Sequence, residues 1–181
     1  MASSAPDRAT GRVYLRPVRG DDRNEFLALM RTSQHLHQPW ISPPLTDATF
    51  TGYLARTGQE DHEGLLICNK SDDAITGVIN INNIVRGSFL SASLGYYAGA
   101  PFAGQGLMRE GLELVKGYAF YTLGLHRLEA NIQPDNHRSI ALVTQCGFER
   151  EGMSPEFLFI DGKWRDHERW TAVHDREALR P

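Results

Sequence analysis

The 181-residue sequence contains only two cysteines, and neither has another cysteine near it in the chain. Disulfide-stabilised and zinc-binding proteins are therefore poor interpretations, and we expect Cys68 and Cys146 to be reduced core residues of a cytoplasmic protein. The sequence also lacks any run of about 18 apolar residues, which a membrane helix would need. Its first residues contain no apolar segment that would indicate a signal peptide, so we expect no membrane partner.

An excess of basic charge is absent as well, because 19 lysines and arginines stand against 22 aspartates and glutamates, for a formal net charge of −3. This balance argues against a nucleic-acid-binding surface. No repeat, low-complexity stretch or linker divides the chain. We therefore expect one domain over residues 11–175, between a disordered leader at 1–10 and a tail at 176–181, in a monomer or a homodimer.

The apolar pattern predicts strands mixed with helices that do not strictly alternate. Alternating runs predict strands at 12–17, 64–68, 75–81, 89–97, 126–132, 157–160 and 163–173. Helical spacing predicts helices from Asp21, from Thr46 or Asp47, at 104–121 and at 136–145. Residues 35–44 should form a loop, because three prolines cannot sit inside a helix. This order predicts an α+β fold, an α/β sandwich around a largely antiparallel sheet.

Two common phosphate-binding motifs are missing. The dinucleotide fingerprint fails because Arg109 stands where its third glycine should be, and no Gly-Lys-Ser/Thr loop is present. What the chain does contain is Gly104-Gln105-Gly106 between a predicted strand and a predicted helix. A helix start offers unpaired amides and a positive dipole end, so glycines there suit an anion. From their spacing alone, glycines that only form a tight turn are an equally good interpretation.

This loop matches part of the pyrophosphate motif of the GNAT acetyltransferases, Gln/Arg-x-x-Gly-x-Gly/Ala, with Pro101 in the leading position. Further runs, in order along nearly the whole chain, resemble the RimJ/RimL-like branch of that family. They are Leu15-Arg16-Pro17, Pro39-Trp40, Ser93-Leu94-Gly95-Tyr96-Tyr97, Gly104-Gln105-Gly106-Leu107-Met108, Leu123 to Asn131, Pro134-x-Asn136-x-x-Ser139, Cys146 to Gly152, and Asp161 to His167.

The resemblance implies a seven-stranded, mixed but largely antiparallel sheet that splays between its fourth and fifth strands, flanked by about four helices. It also implies acetyl-CoA as cofactor, with pantetheine pairing with the fourth strand in the gap and pyrophosphate on the amides of the glycine loop. The cofactor-binding residues implied in this way are Leu94, Gly95, Tyr96, Tyr97, Phe102, Ala103, Gly104, Gln105, Gly106, Leu107, Met108, Asn131, Asn136 and Ser139.

Three residues are candidates for catalysis by the same resemblance. The hydroxyl of Ser139 should hydrogen-bond the departing thiolate, and a backbone N–H near Tyr97 should hold the developing oxyanion. Glu129 could act as a base through water, although a solvent-facing glutamate is an equally open interpretation. Asn136 is either a contact of the pantetheine arm or a helix cap. His35, His37 and Trp40 fall where the family places an acceptor wall, and their spacing does not indicate a metal site.

The resemblance therefore predicts transfer of acetyl from acetyl-CoA to a primary amine by direct attack in a ternary complex. An N-terminal α-amine of a protein or peptide, such as a ribosomal protein, is the favoured acceptor. Its pKa of about 7.7–8.0 leaves part of it neutral at pH 7, whereas a lysine near 10.4 needs a strong base. Two alternatives stay open: a small-amine acetyltransferase for an amino acid, polyamine or antibiotic, and a non-catalytic acyl-CoA-binding module.

Overall fold

The computed structural model describes residues 11–174 of the chain. The predicted leader at 1–10, the predicted tail at 176–181 and the last position of the predicted domain therefore lie outside the described residues. Between residues 11 and 174, no helix is long and apolar enough to span a bilayer.

One seven-stranded sheet organises the described residues, in the order β1-β2-β3-β4-β5-β7-β6. Every neighbouring pair is antiparallel except β4 and β5, which run parallel. The predicted mixed and largely antiparallel sheet is thus confirmed. The strands are β1 (Val13–Pro17), β2 (Glu63–Asn69), β3 (Ile75–Val85), β4 (Ser91–Ala98), β5 (Arg127–Ile132), β6 (Glu149–Ile160) and β7 (Lys163–Val173).

Four helices of nine or more residues flank this sheet within the described residues, as predicted, together with a one-turn helix that was not predicted. They are α1 (Arg23–Thr32), α2 (Gln34–His37, the single turn), α3 (Asp47–Thr57), α4 (Leu107–Gly117) and α5 (His137–Gln145). A π-helical turn, Tyr118–Thr122, extends α4 toward β5.

The helices divide between the two faces of the sheet. Along β2, Leu65 and Ile67 join an apolar cluster that contains α4 and α5, whereas Leu66 and Cys68 join a second cluster that contains α1 and α3. Successive side chains of a strand point to opposite faces, so the two clusters lie on opposite sides of the sheet. Both cysteines are buried and free, which confirms the prediction of two reduced core cysteines. The sheet is therefore covered on both faces.

A glycine lets α4 lie close to the sheet. A methyl group at Gly111 would come within 2.4 Å of the Cδ1 atom of Ile67 on β2, a distance that no real contact reaches. The helix axis can approach the strand only because this position carries no side chain. The start of α4 is thereby held at a fixed distance above β2 and β3.

Several boundaries predicted from the sequence were wrong, among them the end of β3, which lies at Val85 rather than at residue 81. The α4 helix begins at Leu107 rather than at Gly104, because Gly104 and Gly106 have φ angles of 75° and 79° and cannot be helical. The predicted loop at 35–44 starts with the last turn of α2, since its first proline comes only at Pro39 and does not affect the residues before it. Strand β6 begins at Glu149, eight residues before the predicted start at Phe157.

Strands β4 and β5 separate partway along their length. They pair from Ser91 with Arg127 as far as Leu94 with Ala130, while β4 continues to Ala98 and β5 to Ile132. The predicted splay is therefore confirmed. We call the space between residues 95–98 of β4 and residues 131–132 of β5 the gap.

Candidate active site

Hydrogen bonds at the two ends of β4 show which of its backbone groups face the gap. The amide of Gly99 donates to the carbonyl oxygen of Thr76 on β3, at 3.0 Å. At the other end, the carbonyl oxygen of Leu90 accepts from amides at the start of β5. Backbone groups alternate in direction along a strand. Odd-numbered residues of β4 therefore point their amides toward β3, and even-numbered residues point theirs toward β5.

By this alternation, the amides of Tyr96 and Ala98 face the gap, where β5 no longer pairs with β4. The carbonyl oxygen of Ala98 accepts a hydrogen bond from Nε2 of His37 at 2.8 Å. The amide of Tyr97 points toward β3 instead. Of the amides near Tyr97, where we predicted an oxyanion donor, those of Tyr96 and Ala98 therefore face the gap.

One cavity of about 1610 Å³ joins the gap to the start of α4 and to the loop after α2. All predicted site residues line it except Tyr97 and Gln105. The side chain of Tyr97 lies on the opposite face of β4 from that of Tyr96 and lines a second, polar cavity of about 130 Å³. The side chain of Gln105 turns back to donate to the carbonyl oxygen of Pro101 at 3.1 Å.

The start of α4 has the features of an anion-binding site. Its N-cap residue, Gly106, is left-handed and supplies no side-chain cap, so the amides of the first turn keep their hydrogen-bonding capacity. A side chain at Gly104 would meet no protein atom within 4 Å. Space for a phosphate and unpaired amides therefore coincide at this loop.

An ion pair from the start of the described chain fixes this loop. Arg12 donates from Nε to Glu110 at 2.7 Å and from a terminal nitrogen to the carbonyl oxygen of Gln105 at 2.7 Å. Burial favours a raised pKa for the Glu110 carboxyl, but the hydrogen bonds and charge of Arg12 outweigh it and lower the pKa. Glu110 is thus a structural carboxylate that ties α4 to β1.

Two hydroxyl groups of residues that line the cavity, those of Tyr96 and Ser139, form a pair. The phenol of Tyr96 and the hydroxyl of Ser139 on α5 are hydrogen-bonded. Burial raises the pKa of Tyr96 to about 12, although the bond to Ser139 works in the opposite direction. Asn136 caps α5 by accepting from the amide of Ser139 at 3.2 Å. The capping interpretation of Asn136 is therefore confirmed, and the residue also lines the cavity.

On β5, the two predicted polar residues have different surroundings. Asn131 lines the cavity, and its Oδ1 atom is buried with no hydrogen-bond partner among the described residues. An unpaired buried acceptor is costly, so a ligand N–H at this position would be favourable. Glu129 instead accepts from Nε of Arg127 at 2.9 Å. Arg127 also binds Glu151 in a bidentate pair, with a shorter contact of 2.5 Å.

His35, His37 and Trp40, which we predicted to form an acceptor wall and refer to by that name, line the same cavity as the glycine loop. Two contacts hold the acceptor wall there besides the bond from His37 to Ala98. Gln133, just after β5, donates to the carbonyl oxygen of Trp40 at 3.3 Å. Ser33 accepts from the amide of Ala100 at 2.8 Å. Across residues 11–174, no group of His, Cys, Asp or Glu is arranged to hold a metal ion.

Acidification below pH 6.5 is expected to lower the free energy of unfolding, in part through His37. Burial lowers the pKa of His37, whereas an unfolded histidine titrates near 6.5. The unfolded chain therefore takes up the proton first, and stability present above pH 6.5 is lost as pH falls. Urea unfolding at pH 5 and 7 measures this slope.

The matched variant is His37→Gln, whose amide can still donate to the carbonyl oxygen of Ala98. It should show a shallower pH slope than the wild type. Some slope will remain, because burial also lowers the pKa of His167. An unchanged slope in the glutamine variant would show that His37 does not contribute.

Sequence reasoning missed two residues of this site, Arg127 and Gln133, and one contact of a third. Tyr96 was predicted to bind the cofactor, but the hydrogen bond between its phenol and Ser139 was not predicted. That contact could have been found, because strand alternation puts the phenol on the same face as Leu94, toward the helix that carries Ser139. Arg127 and Gln133 could not, since each matters through a contact with a residue distant in sequence.

Comparison with known proteins indicates the same family as the sequence motifs. A family profile described as an acetyltransferase (GNAT) domain matches residues 12–149, which include the gap, the start of α4 and α5. The chain is 36% identical over 170 residues to the ribosomal protein uS5-alanine N-acetyltransferase of Escherichia coli, covering 87% of this chain and 86% of that protein.

Two further proteins are similar. Spermidine N(1)-acetyltransferase of Vibrio cholerae is 26% identical over 107 residues, covering 58% of this chain and 62% of that protein. The solved structure of Mycobacterium smegmatis RimJ in complex with CoA-disulfide has a TM-score of 0.81 and 27% identity, covering 89% of this chain and 81% of that chain.

Proposed function

Because the chain belongs to the GNAT acetyltransferase family and is an acyl-CoA-dependent N-acetyltransferase, we propose that it acetylates the N-terminal α-amine of a protein, with acetyl-CoA as donor. The observation that carries the proposal is the gap. It opens into one cavity that is also lined by the start of α4 and by His35, His37 and Trp40. A donor and an acceptor can therefore meet between β4 and β5 in a ternary complex.

The residues at the start of α4 and along the gap fit CoA. The amides at the start of α4 would hold the pyrophosphate. The unpaired backbone of Tyr96 and the buried Oδ1 atom of Asn131 would hydrogen-bond the pantetheine arm. When bound, acetyl-CoA supplies the acetyl group, and its sulfur keeps the electron pair of the broken bond.

On the same strand, the amides of Tyr96 and Ala98 would stabilise the carbonyl oxygen as negative charge develops on it. They belong to a strand held between β3 and a hydrogen bond from His37, so they need not reorganise during the reaction. Preorganised donors of this kind are among the largest contributions to acyl transfer. The acceptor amine would approach from the acceptor wall and attack directly.

No strong base faces this point among the described residues. Glu129 could accept a proton through water, but its carboxylate is already engaged in an ion pair with Arg127. His37 already donates to Ala98, and its other ring nitrogen is buried. An α-amine, which is partly neutral near pH 8, suits such a site better than a lysine does.

The charges around the cavity favour a peptide over a polyamine. Its charged lining comprises three arginines and two carboxylates, with four histidines besides. One of the carboxylates, Glu129, is already paired with Arg127. A polycation would need several unpaired acidic groups, which this lining does not offer. The similarity to an enzyme named for ribosomal protein uS5 makes a ribosomal protein a reasonable acceptor, modified in the cytoplasm.

Thiol release from acetyl-CoA tests the proposal with three acceptors at pH 8. They are a lysine-free peptide that begins with alanine, the same peptide with its α-amine blocked, and spermidine. We expect release with the free peptide at least about tenfold faster than with the other two, because only it presents an unprotonated α-amine.

The other outcomes separate the alternatives. Release with spermidine and with neither peptide would contradict the protein acceptor and favour a small amine. CoA binding without release on any amine would favour a non-catalytic acyl-CoA-binding module.

A further inference from the structure

We infer that Tyr96 is a positioning residue for the leaving thiolate, because it donates to Ser139 and directs the Ser139 proton at the sulfur. This inference rests on the proposed function. The two hydroxyls, one on β4 and the other on α5, are hydrogen-bonded to each other. Both residues line the cavity at the gap, so the pair is in place before any ligand arrives.

The direction of the bond follows from the chemistry of the two groups. A phenol, with a pKa near 10, is a stronger hydrogen-bond donor than an aliphatic hydroxyl. When Tyr96 donates, the oxygen of Ser139 is occupied as an acceptor and its own proton is free to point elsewhere. Donation by one hydroxyl also polarises the next, so Ser139 becomes a better donor.

Several contacts limit where that proton can point. The backbone amide of Ser139 is taken by the Oδ1 atom of Asn136, which fixes the first turn of α5. Tyr96 is held by packing against the apolar cluster that contains α4 and α5. Ser139 lines the cavity, so its hydroxyl proton can point into it.

The pair donates hydrogen bonds but does not supply a proton to the thiolate. Burial raises the pKa of Tyr96 to about 12, whereas a thiol titrates near 8.5. Transfer of the Tyr96 proton through Ser139 to sulfur would thus be strongly uphill. The leaving group departs as a thiolate, and the pair stabilises its charge.

This arrangement predicts that the pair acts only when sulfur carries negative charge. The neutral sulfur of acetyl-CoA is a weak acceptor, so binding of acetyl-CoA should not depend on Tyr96. The thiolate of product CoA is a strong acceptor. Binding of CoA above the thiol pKa, compared with desulfo-CoA, therefore measures the interaction without any turnover.

The experiment uses the full chain and calorimetric titration at pH 9 with CoA and with desulfo-CoA, which lacks the sulfur. The wild type should prefer CoA about tenfold or more, as expected for a hydrogen bond to a charged group. Ser139→Ala should abolish the preference. Tyr96→Phe should reduce it by about threefold or more, and should lower kcat by a similar factor with little change in KM for acetyl-CoA.

The matched control is Tyr118→Phe. Tyr118 packs against the same apolar cluster, burial raises its pKa to about 12, and it does not line the cavity. Loss of that hydroxyl should leave the CoA preference unchanged. An unchanged preference in Tyr96→Phe, or an equal loss of affinity for both ligands, overturns the inference. Absence of CoA binding to the wild type would instead contradict the proposed function.

Discussion

Replacement of Gly104 by valine is expected to weaken CoA binding by about 100-fold or more. The valine side chain would enter the open space at the glycine loop, where a Cβ atom meets no protein atom within 4 Å and where we propose that the pyrophosphate reaches the amides of α4. A pyrophosphate could then no longer reach those amides. Losing two charge-assisted hydrogen bonds costs about 3 kcal/mol or more, which corresponds to the stated loss of affinity. Calorimetric titration with CoA measures it.

A second effect of this substitution is strain, which a matched variant isolates. Gly104 has a φ angle of 75°, and Gly124, between the π-helical turn and β5, has 69° with equally open surroundings. Valine in this conformation costs about 1–2 kcal/mol at either position. Gly124→Val should therefore lose similar stability and keep its affinity for CoA. Equal affinity in the two variants would show that the loop does not hold the pyrophosphate.

The order and type of the elements could be predicted because local chemistry determines them. Thr46 caps α3 as expected, and Gly147 ends α5 with a φ angle of 75°. The first half of β6 was missed because it is an exposed edge strand that pairs only with β7. Its register also shifts near Gly152 and again between Ser154 and Leu158, so it lacks the alternating apolar pattern of a buried strand.

Some features of the candidate site could likewise be predicted from local sequence, and others could not. The glycine loop and Ser139 could be found from the sequence, since their motifs lie in short segments. The pairing of Arg12 with Glu110, 98 residues apart, could not be predicted. The same holds for the choice between the amides of Tyr96 and Tyr97. That choice depends on which strand lies at each edge of β4, and the strand order in the sheet decides it.

Truncation of one large residue on each face of the sheet should destabilise the fold similarly but affect CoA differently. Phe26 is fully buried, with its ring centroid 5.1 Å from that of Phe50, and Phe26→Ala should cost about 3–5 kcal/mol. Leu112, equally buried in α4, should cost about 2–5 kcal/mol when truncated to alanine. Both losses are large against a total of about 5–15 kcal/mol, and urea unfolding measures them.

The two variants should separate when CoA affinity is measured below their unfolding transitions. Leu112 anchors the helix whose first amides would hold the pyrophosphate, so a loosened α4 must be reordered on binding, and affinity should fall about threefold or more. Phe26 belongs to the apolar cluster on the other face of the sheet, with α1 and α3, and Phe26→Ala should keep its affinity for CoA within about twofold. An equal loss in both variants would mean that the two apolar clusters respond as one unit. The face of the sheet that carries α4 and α5 could then not be perturbed independently of the face that carries α1 and α3.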